Sequence, residues 1–250
     1  MDLHAYLERI GYTGPAKPTQ EGLYALHRAH LLAVPFENLD IGLKRPIILD
    51  EEKLVEKIVT RRRGGFCYEM NGVFAAALRE IGFRVTLLSA RVPNAKGEIG
   101  PEFDHMALRV DLEQPWLADV GFGRDAFFEP LPLVEGVETT QRGVTYRLRR
   151  QGERWLAEYR SGGQDWGLLY DFTLTPRKLA DYAGMCRWHQ TSPQSHFTRG
   201  RICSRLTPEG RITLSDLRLI VTTNGEREER DLAGEEEFRA VLRERFGVAL

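Results

Sequence analysis

The spacing of the apolar residues changes once along this chain, near residue 83, and this change limits the fold more than any other feature of the sequence. Before it, apolar side chains recur every three or four positions, as in amphipathic helices. After it, short runs rich in Val, Leu, Tyr and Trp alternate with clusters of Gly, Pro, Asn and Asp, as in antiparallel strands. The sequence therefore predicts an α+β protein in which helices precede the sheet.

Four helices are predicted in the first part of the chain. Asp2 is a suitable N-cap for the first helix, and Gly11 and Gly82 are suitable stops for the first and the fourth. The apolar faces of the second, third and fourth helices are marked by Leu23, Leu26, His30 and Leu31, by Leu54, Val55 and Ile58, and by Phe74, Leu78 and Ile81.

The second part contains five predicted strands, and the third part contains two hairpins and a closing helix. The strands are Phe83–Ala90, His105–Asp111, Trp116–Val120, Val144–Arg149 and Arg154–Arg160. A short helix at Lys178–Ala183 precedes hairpin turns at Pro208-Glu209-Gly210 and Asn224-Gly225, and an amphipathic helix spans Glu235–Arg245. We therefore predict a helical domain (residues 1–82), an antiparallel β domain (residues 83–185) and a small α/β domain (residues 186–250).

The composition excludes several classes of function. The chain has 250 residues, 42% of them hydrophobic, and its 35 Lys and Arg nearly balance 36 Asp and Glu, so no overall field attracts nucleic acid or an anionic membrane. No apolar run approaches the roughly eighteen residues of a membrane span, and the N-terminus lacks the pattern of a signal peptide, so we expect a cytoplasmic protein. Three cysteines are an odd number and favour reduced thiols over disulfides.

Cys67 stands directly after a loop that contains Gly64 and Gly65, at the start of the fourth predicted helix. A helix N-terminus carries about half a positive charge and unpaired N–H groups, which stabilise a thiolate and can hold an oxyanion. A free cysteine is otherwise most often a small buried hydrophobic residue. A catalytic interpretation of Cys67 therefore needs a partner base.

His105 and Asp119 could supply the base and a carboxylate that orients it. His105 begins a predicted strand, and Asp119 ends the next one, fourteen residues later. This separation suits two adjacent antiparallel strands with a short connection, which would bring the carboxylate close to the imidazole. A thiol, an imidazole and a carboxylate together perform acyl transfer, although the spacing alone does not establish a triad.

The motifs around these residues resemble those of the arylamine N-acetyltransferase family. They occur in the family's order and cover about the first half of the chain: Val34-Pro35-Phe36-Glu37-Asn38-Leu39, Arg63-Gly64-Gly65-Phe66-Cys67-Tyr68-Glu69-Met70-Asn71, Asp104-His105-Met106 and Asp119-Val120-Gly121-Phe122-Gly123-Arg124. The segment from Trp188 to Phe197 keeps part of a further motif. The resemblance implies three domains, namely a helical domain with the nucleophile, an antiparallel β-barrel with the His and Asp, and an α/β lid.

The resemblance also implies a role for each matching residue. Cys67 would be the nucleophile that accepts the acyl group, His105 its base and Asp119 the acid that orients the imidazole. Acetyl-CoA would be the donor, and an aromatic amine or hydrazine the acceptor. The acceptor pocket would be lined by Phe36, Tyr68 and Phe122, and the backbone of Gly121, Phe122 and Gly123 would approach the coenzyme A.

Other interpretations share some of these residues. The same triad on a core like that of cysteine proteases serves thiol hydrolases and amide synthases, and a binding module with an inert Cys67 is a further alternative. The spacing of Cys186, His189, His196 and Cys203 matches no common zinc site, so we predict no metal. The run Arg61-Arg62-Arg63 is more typical of a solvated face than of an anion site.

Overall fold

The computed structural model describes residues 1–123 and 127–250, and Arg124, the last residue of the fourth motif, lies outside them. The predicted α+β class is confirmed, and the architecture has three parts: helices, a nearly closed antiparallel barrel and a small sheet covered by a helix. The described helices are α1 (Leu3–Arg9), α2 (Gln20–Ala33), α3 (Leu39–Gly42), α4 (Glu51–Val55), α5 (Cys67–Ile81), α6 (Ala183–Thr191) and α7 (Glu235–Phe246).

Helix α5 is the centre of the helical part. Every residue from Cys67 to Leu78 is buried, and the helix packs against strands β2 (Arg84–Arg91) and β3 (His105–Asp111). Glu69 caps its start, since its Oε2 accepts a hydrogen bond of 3.1 Å from the N–H of Phe66. Gly82, at a φ of 105°, ends it as predicted.

The larger sheet has eight antiparallel strands in the described part of the chain, in the order β5-β4-β3-β2-β9-β8-β7-β6. The remaining strands of this sheet are β4 (Pro115–Ala118), β5 (Leu131–Pro132), β6 (Thr139–Gln141), β7 (Val144–Gln151), β8 (Arg154–Ser161) and β9 (Gly167–Phe172). Strands β3 and β4 are neighbours, with Leu108 opposite Ala118. This register brings the start of β3 and the end of β4 to the same edge of the barrel, and the predicted adjacency is confirmed.

The smaller sheet combines the two ends of the chain. Its order over the described residues is β1-β10-β11-β12-β13, with β1 (Phe36–Glu37), β10 (Ile202–Thr207), β11 (Gly210–Ser215), β12 (Arg218–Thr223) and β13 (Glu226–Asp231). Phe36 of β1 stands opposite Ser204 of β10. Both predicted hairpins are confirmed, and Phe238, Val241 and Leu242 of α7 are buried beneath the sheet, as their spacing predicts.

Some elements differ from the sequence-based expectation. Strand β9 was not expected, yet it joins β2 to β8. The third helix continues from α4 into a π-helical turn over Glu56–Thr60. The short helix expected at Lys178–Ala183 is a 3₁₀ turn over Leu179–Tyr182 that leads into α6, so the predicted boundary after residue 185 falls inside a helix.

No helix within residues 1–123 and 127–250 combines the length and the apolar character that a membrane crossing requires.

Candidate active site

Cys67 is held in place by a loop that only glycine can form. A Cβ on Gly64 would lie 1.9 Å from the carbonyl oxygen of Pro35, and a Cβ on Gly65 would lie 2.6 Å from the Cβ of Glu69. The N–H of Glu37 donates to the carbonyl of Gly65 at 2.9 Å. The glycines therefore permit the close contact between this loop and the segment around β1, which explains why the first two motifs occur together.

His105 and Asp119 form a buried pair. The distance from His105 Nε2 to Asp119 Oδ2 is 2.7 Å, and the two side chains are 4% and 0% exposed. The other carboxylate oxygen, Oδ1, accepts from Asn71 Nδ2 at 2.8 Å and from the N–H of Gly121 at 2.9 Å. These three hydrogen bonds fix the orientation of the Asp119 carboxylate. Because Asp119 bonds to Nε2 of His105, the other ring nitrogen, Nδ1, is available for another partner.

Reasoning from the sequence gave Asn71 no role, but its side chain bonds to the segments that carry His105 and Asp119. Its Nδ2 also donates to the carbonyl of Met106 at 2.7 Å, and its Oδ1 accepts from the N–H of Val120 at 3.0 Å. Because Asn71 follows Cys67 by four residues on α5, it lies one helical turn from the thiol. Its side chain therefore ties the helix of Cys67 to the segments that carry His105 and Asp119, and this spacing within the motif was the available signal.

Electrostatics set the charge of the carboxylate. Burial works against ionisation of Asp119, but its contacts with His105, Asn71 and Gly121 outweigh the burial and hold the pKa of its carboxyl below the usual range. His27 supports the same residue from α2: its Nε2 accepts from the N–H of Asp119 at 3.2 Å, and its Nδ1 bonds to the carbonyl of Phe128 at 3.0 Å. Burial lowers the pKa of His27 to about 4, so it is a neutral support.

The Cys67 thiol lies close to the start of β3. The backbone of Met106, the residue after His105, acts on the sulfur and favours the thiolate. Burial has the larger effect and raises the pKa of Cys67, and the charges of Asp104 and Asp119 raise it further. This burial acts against the stabilisation of a thiolate that the position of Cys67 at a helix N-terminus predicts. A thiolate at Cys67 therefore requires an adjacent cation.

The predicted pocket residues fall into three groups. Phe36, Phe122 and Gly123 line one cavity of about 570 Å³. Gly121 is buried against Cys67, since a Cβ there would lie 2.8 Å from the Cα of Cys67. Tyr68 is fully buried, and its hydroxyl donates to the carbonyl of Phe103 at 2.6 Å.

The cavity lies between the barrel and the smaller sheet. Besides Phe36, Phe122 and Gly123, its walls include Phe197. Strands β10 to β13 add polar side chains, namely Ser204, Arg211, Thr213, Ser215, Thr222 and Arg227. The ring of Phe122 is edge-on to the imidazole of His105, with centroids 5.2 Å apart. The cavity therefore combines aromatic walls, one of which packs against the histidine, with hydroxyls and guanidinium groups.

The remaining candidates have structural partners. Arg63 is buried and bonds to Glu37 at 2.7 Å and to Asp40 at 3.1 Å, so it is part of an internal ion-pair cluster. His189 Nε2 lies 3.3 Å from Asp104, while Cys186 is buried against Ile47. Within the described ranges, no three His, Cys, Asp or Glu side chains are grouped as metal ligands.

Comparisons with known proteins extend over nearly the whole chain. Residues 19–250 match the family model described as N-acetyltransferase. The chain is 38% identical to the arylamine N-acetyltransferase of Escherichia coli (strain K12), over 99% of this chain and 89% of that protein. The solved structure of the arylamine N-acetyltransferase from Salmonella typhimurium gives a TM-score of 0.92 at 36% identity, covering 98% and 90% of the two chains. That of the Mycobacterium marinum arylamine N-acetyltransferase in complex with CoA gives 0.90 at 33% identity, covering 99% and 93%.

Proposed function

The chain belongs to the arylamine N-acetyltransferase family, and from that premise we propose that it transfers an acetyl group from acetyl-CoA to an aromatic amine through a thioester on Cys67. His105 is the base of this reaction and Asp119 the acid that orients it. The observation that carries the proposal is the 2.7 Å bond between His105 and Asp119, whose carboxylate also accepts from Asn71 on the helix that begins at Cys67.

In the first step, the Cys67 thiol loses its proton to Nδ1 of His105. Asp119 accepts from Nε2–H, which keeps Nδ1 unprotonated beforehand and stabilises the imidazolium afterwards. The thiolate then attacks the carbonyl carbon of acetyl-CoA, the bond from that carbon to the sulfur of coenzyme A breaks, and the imidazolium returns the proton to the departing thiolate. The acetyl group is left on Cys67.

In the second step, an amine attacks the acetyl-enzyme. An aromatic amine or hydrazine is largely unprotonated at neutral pH, whereas an alkylamine is mostly ammonium and cannot attack. Planar rings also suit a cavity whose walls include Phe36, Phe122 and Phe197. His105 takes the proton of the attacking nitrogen and gives it to the Cys67 sulfur as the thioester bond breaks. We expect ping-pong kinetics.

The low exposure of Cys67 favours transfer over hydrolysis. The residue is only 3% exposed, so water has little access to its thioester before the amine arrives. We assign the outer part of the cavity to the donor, since the guanidinium of Arg227 and the hydroxyls of Thr213, Ser215 and Thr222 are suitable partners for phosphate and amide groups. The backbone from Gly121 to Gly123 leads from this region to Cys67.

Mass spectrometry of the protein mixed with acetyl-CoA tests the nucleophile. We expect one acetyl group, mapped to the Cys67 peptide, and none in the Cys67→Ser variant. Cys186→Ala and Cys203→Ala are matched controls, because both thiols are also buried, and they should label as the wild type does. A label on Cys186 or Cys203 instead would overturn the assignment, and no label at all would favour an inert binding module.

Stopped-flow release of coenzyme A distinguishes the related enzymes. The proposal predicts one rapid turnover without an acceptor and continuous turnover with an arylamine or arylhydrazine. Continuous release in water alone would indicate a hydrolase. Release only with a long amino-aryl thioester that cyclises would indicate an amide synthase.

A further inference from the structure

The residue two positions before His105 has an unusual backbone conformation. Phe103 has a φ of 66°, in the left-handed region that residues with a Cβ seldom occupy. The chain must turn sharply here, because β3 begins only two residues later, at His105. A strained turn next to a functional residue persists only where surrounding contacts hold it.

Two buried hydroxyls hold this turn from opposite sides. The N–H of Phe103 donates to Ser89 Oγ at 2.7 Å, and Ser89 in turn donates to Glu102 at 2.7 Å. The carbonyl of Phe103 accepts from the hydroxyl of Tyr68 at 2.6 Å, and the carbonyl of Asp104 lies 3.2 Å from the same hydroxyl. The turn that aims His105 is therefore bonded to the side chain of Tyr68.

Tyr68 is the neighbour of Cys67 on α5. Its ring is fully buried and packs edge-on against Phe66, with centroids 5.0 Å apart. Burial raises the pKa of Tyr68 far above its ordinary value, so the hydroxyl stays protonated and remains a donor at every working pH. The side chain thus links the segment of the thiol to the segment of the imidazole through a single, permanent hydrogen-bond donor.

We propose that Tyr68 is a positioning residue, whose hydroxyl sets the place of the His105 imidazole relative to the Cys67 sulfur. This inference rests on the proposed triad. Without the hydroxyl, the carbonyl of Phe103 loses its short bond inside the protein, and the turn is released from its left-handed conformation. The imidazole then no longer sits where it can take the proton of Cys67, and the thiol returns to the high pKa that its burial dictates.

Tyr68→Phe removes this hydroxyl alone, and Tyr182→Phe is its matched control. Tyr182 is also fully buried, and its ring centroid lies 5.6 Å from that of Tyr68 and 5.3 Å from that of Phe103. Its hydroxyl, however, has no hydrogen-bond partner among the described residues. The two variants therefore make the same chemical change in the same packing environment, and only one of them removes a bond to the turn.

The measurement is the rate of Cys67 alkylation by iodoacetamide between pH 5 and 10, without any substrate. Asp104, Asp119 and Cys186 also act on the Cys67 thiol, and neither substitution changes them. In Tyr68→Phe we expect the midpoint of the profile to rise by about one pH unit and the rate at pH 7 to fall about tenfold. The first-order rate of acetylation at saturating acetyl-CoA should fall in parallel, with little change in KM, and Tyr182→Phe should follow the wild type throughout.

A Tyr68→Phe profile that coincides with that of the wild type would overturn the inference, and equal shifts in both tyrosine variants would do the same by indicating a packing effect. If circular dichroism shows that Tyr68→Phe does not fold, Ser89→Ala decides, since it releases the other side of the turn and should raise the midpoint too. Should the wild-type Cys67 itself titrate as an unpaired thiol, the triad fails, which is a different outcome.

Discussion

Replacing Asn71 by Asp tests whether the site depends on the amide that joins its three segments. The substitution keeps the oxygen that accepts from Val120 but removes the donor to the carbonyl of Met106 and to Asp119 Oδ1. A lost bond to a buried charge costs about 1.5–3 kcal/mol, and an unpaired buried carbonyl costs about 1–3 kcal/mol. We therefore expect the free energy of unfolding to fall by about 3–5 kcal/mol at neutral pH. A domain of ordinary stability remains folded after such a loss.

This loss of stability should be smaller at low pH than at high pH, because of the charges at the site. The new carboxyl at position 71 would face the carboxylate of Asp119 in a dry site, so the pair would hold a proton to a higher pH than in the unfolded chain. A raised pKa in the folded state means that stability is greater at low pH and falls as pH rises through that value. Asn71→Asp should therefore be less destabilised at pH 5 than at pH 7.5, as measured by urea unfolding.

Asn38 provides the matched control for this experiment. Its side chain is also buried and also makes two donor bonds, but both go to carbonyls, those of Phe197 and Gly200, and its oxygen accepts from the N–H of Ile202. Asn38→Asp should lose comparable stability while Cys67 still accepts an acetyl group within a few-fold of the wild-type rate. Asn71→Asp should lose at least about a hundredfold in that rate, comparable to losing a general base. Equal acetylation rates in the two variants would refute the role assigned to Asn71.

Three further predictions concern the same site and the ion pairs behind it. Asp119→Asn should lower acetyl transfer about 10³- to 10⁴-fold with an unchanged circular dichroism spectrum, because the amide no longer favours the required imidazole tautomer; near-normal turnover would point to another orienting residue. Arg63→Ala should cost about 3–5 kcal/mol in urea unfolding, because it removes a buried guanidinium that bonds to both Glu37 and Asp40. Arg61→Ala, whose partner Glu56 is exposed, should cost under about 1 kcal/mol. Burial raises the pKa of Glu69 to about 7 despite its bond to Lys57, so this carboxyl makes the stability of the protein fall as pH rises from about 4.5 to 7. Glu69→Gln should therefore flatten that part of the plot of unfolding free energy against pH.

The sequence predicts most reliably what depends on local pattern. The strand His105–Asp111 and the helix that starts at Cys67 follow from alternation, from helical spacing and from the glycines at their ends. The closeness of His105 to Asp119 was also predictable, because a short connection between adjacent antiparallel strands leaves little freedom. These features are determined by residues that are close together in the sequence.

Features that depend on distant contacts were not predictable in this way. The pairing of Phe36 with Ser204 joins residues far apart in sequence, and no periodicity marks a two-residue strand such as β1. The same holds for the large cavity, whose wall combines Phe36 with strands from the other end of the chain. Tyr68 shows the limit for a single side chain, since its place in the motif gives no sign that its hydroxyl bonds to Phe103.

In the proposed reaction, the burial of Cys67 has two consequences that act in opposite directions. It raises the pKa of the thiol, which weakens the nucleophile, and it keeps water from the thioester, which protects the intermediate. A more exposed cysteine would ionise more readily, but its acetyl group would be lost to hydrolysis. The protein therefore has to activate the thiol by a local partner and not by solvent, so the rate depends on how accurately His105 is placed. This dependence explains why buried hydrogen bonds from Asn71 and Tyr68 converge on the segments around one imidazole.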